Sequence, residues 1–471
     1  MKKLPTLLLL ALLSWCSSLQ ALTFAVDPAN KLQRIDGWGV SLCWWAGQCG
    51  KWDEARMDSI VTWLTSKNGL NYNVFRYNIP GGDDPQNRNC TPHHMGRGKG
   101  LRAEMEGFKR SAQDDYDWSA DEAQRRIMLK IKEKRPDAVF EAFSNTPPYY
   151  MTVSGCAAGN KDAAHDNLRK DQYEAFARYL IDCCLYYKKV HGIEFHTLEP
   201  FNEPMTNYWN CNGSQEGCHF DVQSMSDFIQ VIAPMLKASG LKTRLAACDE
   251  TSVMQSIRSL EAFDKSGVLP YVGQWNTHSY QADNLSRIRL RQLTMQHGLT
   301  LWMSETGNFG GKGLNGNLQL SQRLMDDIKL MQPAVWCDWQ AMEENNDQWC
   351  TVQGDFKGNE FHRVKNYYVR QQVTRFIRQG YHLLDAGDEH TLAAISPDGK
   401  TLVIVGQNNG NGPQDYVADL SAFGHVAKTS DNYLTDNAND CRQQQPYPIR
   451  WKRLVYRLQP QSIRTFVIHV K

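Results

Sequence analysis

The feature that most constrains the fold is a regular alternation of short apolar or β-branched segments with longer amphipathic ones. It occurs eight times before about residue 345. Alternating strands and helices favour parallel pairing with right-handed crossovers, and eight such units close naturally into a (β/α)₈ barrel. An open doubly wound sheet is the alternative, but no Gly-x-Gly-x-x-Gly motif follows the first strand. The predicted strands are 36–45, 72–79, 138–145, 195–201, 242–248, 272–280, 300–305 and 334–340.

Two segments between these strands carry signals for helix ends. Segment 119–134 begins with Ser119 as the predicted N-cap, and Glu122 follows three residues later, as in a capping box. Segment 172–191 precedes Gly192, a residue type that favours a helix C-cap.

The pattern changes after about residue 355. A helix is predicted over 365–379, and short alternating strands separated by turn sequences follow it, which is typical of an antiparallel β-sandwich. These strands are predicted at 391–395, 401–406, 454–458 and 463–470. The predicted fold class is therefore α/β, a barrel with an attached β-sandwich side domain. Its divisions are a signal peptide (1–21), an N-terminal strand joining the side domain (22–30), the barrel (31–355), a connecting helix (356–380) and the side domain (381–471).

The first residues have the pattern of an export signal. Lys2 and Lys3 precede an apolar stretch over residues 4–15, and small or polar residues end it before residue 22. That stretch is too short to span a bilayer, and no later segment resembles a membrane helix. We therefore expect an exported protein, periplasmic, on the cell surface or extracellular, and assume a monomer.

An exported chain is free to form disulfides. Two pairs of cysteines that lie close in sequence are predicted to form bridges, Cys43 with Cys49 and Cys211 with Cys218. Four others lie in apolar helical or strand segments and are predicted to be buried thiols. They are Cys183, Cys184, Cys248 and Cys337.

Charge and composition exclude several functions. The 52 Lys and Arg residues balance 51 Asp and Glu residues, which leaves no electrostatic footprint for nucleic acid or an anionic membrane. The cysteine spacing matches no zinc template, and His93-His94 is a poor metal site, so neither metal nor cofactor is expected. The 14 Trp and 19 Tyr residues exceed the needs of the core and suit a ligand that stacks on flat apolar faces.

Two glutamates end predicted strands that face each other across the barrel. Glu203 follows the fourth strand in the sequence Asn202-Glu203-Pro204, and Glu305 ends the seventh after Ser304. Active sites of such barrels lie at the C-terminal ends of the strands, so the two carboxyl groups are placed to flank one bond. Glycoside hydrolysis needs one protonated carboxyl group to assist the leaving oxygen and one ionised carboxylate to attack the anomeric carbon.

Other polar residues end neighbouring strands. Arg76 ends the second strand and is suited to hold a carboxylate ionised, while His278 and Tyr280 end the sixth beside Glu305. Asn202 is suited to bind a sugar hydroxyl. A single glutamate at a strand end is more often a solvated loop residue, so the prediction depends on this coincidence of positions. Six tryptophans are predicted around the same rim, namely Trp44, Trp45, Trp209, Trp336, Trp339 and Trp349.

The motifs resemble a known group of enzymes. Asn202-Glu203-Pro204 together with Ser304-Glu305 resembles the retaining hydrolases of clan A. Within that clan the chain resembles glycoside hydrolase family 30, over essentially the whole mature chain. The motifs that carry this likeness are Gly37-Trp38-Gly39, residues 144–151, residues 367–381 and residues 460–466. Residues 39–46 and 213–220 are similar to the branch that contains endo-β-1,6-galactanases.

The resemblance implies residue roles and a reaction. Glu203 would be the acid/base and Glu305 the nucleophile of a secreted retaining hydrolase, most concretely an endo-β-1,6-galactanase acting on arabinogalactan-type β-1,6-galactan. Gln215 and Glu216 lie in the loop after the fourth strand, without an assigned role. The predicted substrate-binding residues are Arg76, Asn202, His278, Tyr280, Trp339, Trp44, Trp45, Asp83 and Trp209.

Two other functions remain open at this level. A β-1,6-glucanase, or an exo-acting β-galactosidase or β-fucosidase of the same family, would share every catalytic residue and differ in loops 83–101 and 207–220. A carbohydrate-binding surface protein without activity would use the same aromatic rim. The complete pair of glutamates opposes that last hypothesis. A retaining enzyme further requires carboxyl groups roughly 5–5.5 Å apart, against roughly 6.5–9.5 Å for an inverting one.

Overall fold

A closed barrel of eight parallel strands forms the centre of the structure. The computed structural model describes residues 21–86, 88–90, 103–307, 311–344, 348–358 and 360–471. Each barrel strand pairs with the next in chain order, and the eighth pairs with the first, which confirms the predicted fold class. The barrel strands are Gly37–Ser41, Val74–Asn78, Val139–Phe143, Thr197–Glu199, Arg244–Glu250, Gln274–His278, Thr300–Thr306 and Val335–Gln340.

Helices connect the barrel strands, and their ends test two of the sequence predictions. Gly192 adopts the left-handed conformation (φ 60°) directly after its helix, so the predicted C-cap is confirmed. The predicted N-cap at Ser119 is wrong, because the helix begins at Glu122 and the Ser119 hydroxyl bonds Asp117 instead. The α-helices are Trp45–Cys49, Glu54–Thr65, Glu122–Lys134, Tyr173–His191, Val222–Ala238, Val253–Ser266, Asn284–Gln296, Gly313–Asp326 and Lys365–Thr374.

Further strands form additional sheets, mostly antiparallel, beside the barrel. The predicted strand 391–395 is observed as Thr391–Ile395, and the last predicted strand as Ser462–His469. The remaining strands are Leu22–Ala25, Lys31–Arg34, Met342–Glu343, Val352–Gly354, Phe361–Arg363, His382–Leu384, Thr401–Asn408, Gln414–Asp419, Thr429–Thr435, Arg442–Gln443, Tyr447–Pro448 and Arg453–Leu458.

Two strands that precede the barrel in the chain belong to these side sheets. Leu22–Ala25 pairs in parallel with Gln414–Asp419, and Lys31–Arg34 pairs antiparallel with His382–Leu384. The sequence-based division places residue 31 in the barrel, whereas the strand that it begins lies in a side sheet. Alternating sequence alone does not show which sheet a short strand joins.

The helix Lys365–Thr374 contacts both the barrel and a side sheet. Arg370 donates to Asp338 of the eighth barrel strand at 2.8 Å, and both side chains are buried. Gln372 donates to Thr435 of a side strand at 2.9 Å. Because these hydrogen bonds are buried, water does not compete for them. The helix therefore joins the barrel to the side sheet through stable polar contacts.

A disulfide joins Cys90 to Cys156, two residues that are 66 positions apart. The predicted bridge between Cys43 and Cys49 is wrong. Cys43 lies 3.7 Å from the Asn145 side chain, and Cys49 contacts Met342, because the helix Trp45–Cys49 directs the two thiols to different neighbours.

The second predicted bridge is also wrong. Cys211 is half-buried in the loop after the fourth barrel strand, while Cys218 is fully buried with the core, and both are thiols. The prediction of buried thiols is confirmed at Cys183, Cys184, Cys248 and Cys337.

Some sequence predictions fall outside the described residues. Residues 1–20 of the predicted signal peptide (1–21) and the pair His93-His94 lie there, as does most of loop 83–101. Of the helices within the described ranges, none combines the length and the apolar character needed to cross a bilayer.

Candidate active site

Glu203 lies in the loop that follows the fourth barrel strand. Its side chain is buried, with Nδ1 of His278 3.2 Å from Oε1 and the Tyr208 hydroxyl bonded to Oε2. Its backbone is left-handed, with φ of 49°, which is uncommon for a residue with a Cβ. The carbonyl oxygen of Glu203 accepts hydrogen bonds from Thr206 at 2.8 Å and from the Trp209 indole at 3.0 Å.

Glu305 lies on the seventh barrel strand and faces the same space. The Tyr280 hydroxyl donates to Oε1 at 3.2 Å, and Nη1 of Arg76 lies 3.5 Å from Oε2. Burial raises the pKa of Tyr280, and the charge of Glu305 raises it further, so the hydroxyl keeps its proton and acts as the donor. Both carboxylate oxygens of Glu305 therefore have a fixed partner.

Burial dominates the ionisation of Glu305. Burial raises its pKa to about 7, and the charge of Glu203 adds to this rise, while His278 and Arg76 oppose it. Glu305 is therefore poised near neutrality, where a small change in nearby charge alters its ionised fraction.

Arg76 is fully buried beneath the two glutamates and binds three carboxyl groups. Nε donates to Glu141 at 2.8 Å, Nη2 binds Asp249, and Nη1 reaches Glu305. Burial alone would lower the pKa of Arg76, but the charges of Asp249 and Glu141 raise it above its ordinary value. Its guanidinium thus stays charged and holds these groups in a fixed arrangement.

His278 connects the two glutamates. Its Nδ1 lies 3.2 Å from Glu203 and 3.7 Å from Glu305, and its Nε2 lies 3.6 Å from Asp249. Burial would lower the pKa of His278, but the charge of Glu305 and the interactions with Asp249 and Glu203 raise it to about 10. The imidazole is therefore a cation at neutral pH.

The two carboxyl groups lie close to each other. A carboxylate oxygen of Glu203, one of Glu305 and a ring nitrogen of His278 all lie within 4.8 Å of one another. This upper limit, which joins single atoms of the side chains, is compatible with the roughly 5–5.5 Å between the carboxyl groups of retaining glycosidases.

The aromatic residues divide into two groups. Trp44 and Trp339 pack edge to face with ring centroids 5.2 Å apart, and they belong to a small cluster separate from the main core. Trp349 packs against this cluster and lies 6.2 Å from the Tyr280 ring. Trp209 adjoins Glu203, so the structure brings four of the six predicted tryptophans towards the site.

The other two tryptophans belong to the barrel core. Trp45 is fully buried and donates to the carbonyl oxygen of Ser41 at 2.8 Å. Trp336 is buried against Arg370 and donates to Asp327 at 3.0 Å. The interpretation of Trp45 and Trp336 as rim residues is therefore corrected, because both indoles are packed and hydrogen-bonded inside.

Asn202 and Asp83 lie on loops around the two glutamates. Asn202 precedes Glu203 and is buried, with an Oδ1 atom that accepts no hydrogen bond among the described residues. Asp83 follows the second barrel strand, and its Oδ1 accepts from the amide of Ala157 at 3.2 Å, beside the disulfide. Asn202 thus has a buried acceptor without a protein partner in the described part of the chain, whereas Asp83 bonds the neighbouring loop.

Sequence reasoning missed two residues of the site. Asp249 follows Cys248, where the prediction ends the fifth strand, although that strand continues to Glu250. Asp249 binds Arg76 and also accepts from Ser304. Tyr208, beside Trp209, bonds the carboxylate of Glu203. A search for polar residues at every strand end would have found Asp249, but no sequence signal marks Tyr208.

Three groups of side chains in the described residues have the ligand types of a metal site. One is Glu203, His278 and Glu305 itself. The others are Asp83 with the cysteines of the disulfide, and Asp166 with His219 and Asp221. The expectation of a metal-free reaction stays a prediction.

The sequence model that describes O-glycosyl hydrolase family 30 matches residues 21–285, which is more than half of the chain. The chain belongs to this family. It is therefore an O-glycosyl hydrolase, as the resemblance implies.

Two relatives and one solved structure are similar to this chain. The chain is 31% identical over 402 residues to an endo-β-1,6-galactanase of Hypocrea rufa, which covers 83% of this chain and 81% of that protein. It is 24% identical over 556 residues to an exo-β-1,6-galactobiohydrolase of Bifidobacterium longum subsp. longum, covering 88% of this chain and 36% of that protein. A conserved exported protein from Bacteroides fragilis shares the fold, with a TM-score of 0.81, 19% identity and coverage of 94% and 100%.

Proposed function

We propose that this family 30 hydrolase cleaves β-1,6-galactan internally by a retaining double displacement. In this proposal Glu305 is the nucleophile and Glu203 the acid/base. The observation that carries the proposal is the approach of the two carboxyl groups within 4.8 Å around His278. Carboxyl groups lie roughly 5–5.5 Å apart in retaining enzymes and roughly 6.5–9.5 Å apart in inverting ones, so such a close approach of their oxygen atoms favours retention.

In the first step, an ionised oxygen of Glu305 attacks the anomeric carbon while Glu203 donates a proton to the departing oxygen. His278 and Arg76 are both cationic and lie beside Glu305, so they favour its ionised form. The step forms a covalent glycosyl ester at Glu305 and releases the first sugar product.

The second step returns the enzyme to its starting state. Glu203, now ionised, removes a proton from water, and that water attacks the anomeric carbon from the side that the leaving group vacated. The ester bond to Glu305 breaks, and the second displacement restores the original configuration. The Tyr280 hydroxyl, 3.2 Å from Glu305, stabilises the carboxylate as it leaves.

The charge balance supports a proton held in this site. Glu203, Glu305, Asp249 and Glu141 are four carboxyl groups that share two cations, Arg76 and His278. Full ionisation would leave an excess of two negative charges in a buried volume, which is costly. The cluster therefore favours retention of one proton, and the proposed first step requires that this proton reach the departing oxygen through Glu203.

The sugar is proposed from the relatives. Both curated proteins that the chain resembles over most of its length carry β-1,6-galactan activities in their names. The more similar one acts internally, and it matches this chain over most of its own length. We also propose export, from the signal pattern in the sequence, and substrate contacts by Trp44, Trp339 and Asn202.

One set of assays tests this function. The enzyme is incubated with β-1,6-galactan, β-1,6-glucan and xylan, and the products are sized over time. Proton NMR follows the anomeric configuration of the first product. We expect a ladder of oligosaccharides from the galactan alone, released as the β anomer. A first product in the α configuration would contradict the retaining assignment.

The exo-acting relative makes end-wise release a second candidate. A disaccharide as the only early product would favour it over internal cleavage. In either case Glu305→Ala should abolish turnover while binding of the galactan persists. Turnover that survives in this variant would exclude Glu305 as the nucleophile.

A further inference from the structure

Glu216 is a fully buried carboxyl group that binds the loop after the second barrel strand. Its Oε1 accepts hydrogen bonds from the amides of Gly81 at 3.1 Å and Gly82 at 2.9 Å. Its Oε2 lies 3.5 Å from the Asn78 amide group. Burial raises the pKa of Glu216 to about 8, but Oε1 accepts the two amides whether or not the group is ionised.

This contact ties two active-site loops together. Gly81 and Gly82 follow the second barrel strand, which carries Arg76. Glu216 lies in the loop after the fourth barrel strand, the same loop that contains Glu203. The glycine loop is itself closely packed, because a Cβ at Gly81 would lie 2.6 Å from a Thr146 methyl group. Glu216 is thus anchored to a fixed backbone.

The residue after Glu216 supports an indole ring. A Cβ at Gly217 would lie 2.2 Å from Cε3 of Trp209, so the indole lies directly against the glycine backbone. The amide of Gly217 donates to the Ala157 carbonyl at 3.0 Å, which fixes this backbone from the other side.

Trp209 in turn holds the backbone of Glu203. Its Nε1 donates to the Glu203 carbonyl at 3.0 Å, while the Glu203 amide donates to the Asp249 carbonyl at 2.8 Å. A left-handed conformation at a residue with a Cβ is unfavourable and persists only where its surroundings hold it. The indole is one of the groups that hold it.

We propose that Glu216 is a positioning residue for Glu203. By anchoring Gly217 it fixes the indole of Trp209, and the indole fixes the peptide from which the acid/base carboxyl group extends. The inference rests on the proposed function of Glu203, and it adds a role for a residue that does not touch the substrate.

Two aryl β-glycosides of β-1,6-galactobiose test this positioning role. The phenyl glycoside needs protonation of its leaving oxygen, whereas the 2,4-dinitrophenyl glycoside does not, and kcat/KM reports the first displacement in both cases. The variants are Glu216→Ala, Gly217→Ala and Trp209→Phe, with Glu216→Gln as the conservative variant that keeps an acceptor for both amides.

Misplacement of the acid should affect only the substrate that needs it. For Glu216→Ala and Gly217→Ala we expect kcat/KM to fall about 30- to 100-fold with the phenyl glycoside and less than about 3-fold with the dinitrophenyl glycoside. Trp209→Phe keeps an aromatic ring but loses the Nε1 donor and part of the volume of the indole, so a fall of up to about 10-fold with the phenyl glycoside is expected. Glu216→Gln should restore most of the loss.

Gly358→Ala is the matched control. A Cβ at Gly358 would lie 2.8 Å from Nε1 of Trp52, so this substitution also presses a methyl group into an indole, but one that bonds the Phe356 carbonyl. It should lower the melting temperature without changing the ratio of the two kcat/KM values. Equal losses for both substrates in the Glu216, Gly217 and Trp209 variants would overturn the proposal.

The same substrates separate this inference from the proposed function. Glu203→Ala should show the strongest dependence on the leaving group, with azide restoring turnover of the dinitrophenyl glycoside. If that variant lacks the dependence, Glu203 is not the acid/base and the function proposed above fails. If it shows the dependence and the Gly217→Ala and Trp209→Phe variants do not, only the positioning role fails.

Discussion

Replacement of Glu203 by Gln should lower the pH at which Glu305 becomes an effective nucleophile. The charge of Glu203 raises the pKa of Glu305, whose value is about 7, and a neutral amide of similar shape removes that charge. Because a nucleophile must be ionised, kcat/KM falls at pH values below its pKa. The acid limb of the pH profile should therefore move to lower pH in the variant.

The contact distance sets the size of this movement. At 4.8 Å, the upper limit of the separation between the two carboxylate oxygens, two unit charges interact by about 3.5 kcal/mol at an effective dielectric constant of about 20, and by about 0.9 kcal/mol in water. At 1.36 kcal/mol for a tenfold change, the acid limb should move by about 0.6 to 2.5 pH units. The lower end applies if water enters the space between the glutamates.

The assay uses the 2,4-dinitrophenyl glycoside, because the variant has no acid to assist a poor leaving group. Profiles of kcat/KM are recorded from about pH 4 to 9 for wild type, Glu203→Gln and the control Asp415→Asn. Asp415 pairs with Arg457 on a side strand, so its removal should leave the limb in place. A limb that stays or moves to higher pH in Glu203→Gln would refute the electrostatic coupling.

Three further outcomes are expected. Tyr280→Phe removes the hydroxyl that donates to Glu305, which should lower kcat about 10- to 100-fold with an unchanged circular dichroism spectrum; unchanged kcat would contradict the role of that hydroxyl. Substitution of both Cys90 and Cys156 by Ser opens a loop of 66 residues and should lower the free energy of unfolding by about 4 kcal/mol in urea titrations, whereas an unchanged midpoint would oppose that loop-closure effect. Dialysis against EDTA should leave kcat unchanged, and a loss that added divalent ions reverse would contradict the metal-free reaction.

The barrel could be predicted because its signal repeats. Eight alternations of strand and helix have few closed solutions, and the ends of the strands mark one face of the barrel. Glu203, Glu305, Arg76 and His278 were found by that rule alone, and the structure brings them into contact. The same rule missed Asp249 by one residue, because the predicted fifth strand stops at residue 248.

The direction of the tryptophan side chains and the pairing of the cysteines could not be predicted in the same way. Trp44 and Trp45 are adjacent, yet one lies in the cluster beside the site and the other in the barrel core, since a short helix begins between them. Closeness in sequence suggested the disulfides, whereas the observed bridge joins Cys90 to Cys156 across two loops. Such contacts depend on the path of loops, which carries no periodic signal.

The strands Leu22–Ala25 and Lys31–Arg34 have a consequence for how the protein holds together. They pair with Gln414–Asp419 in a three-stranded sheet and with His382–Leu384 in an eight-stranded sheet, so segments that precede and follow the barrel in the chain are held together in the side sheets. A cut of the chain between residues 26 and 31 would leave every catalytic residue in place, but the strand Leu22–Ala25 would no longer be covalently joined to the barrel. The melting temperature of the protein would then decrease, although the two glutamates and their contacts stay unchanged.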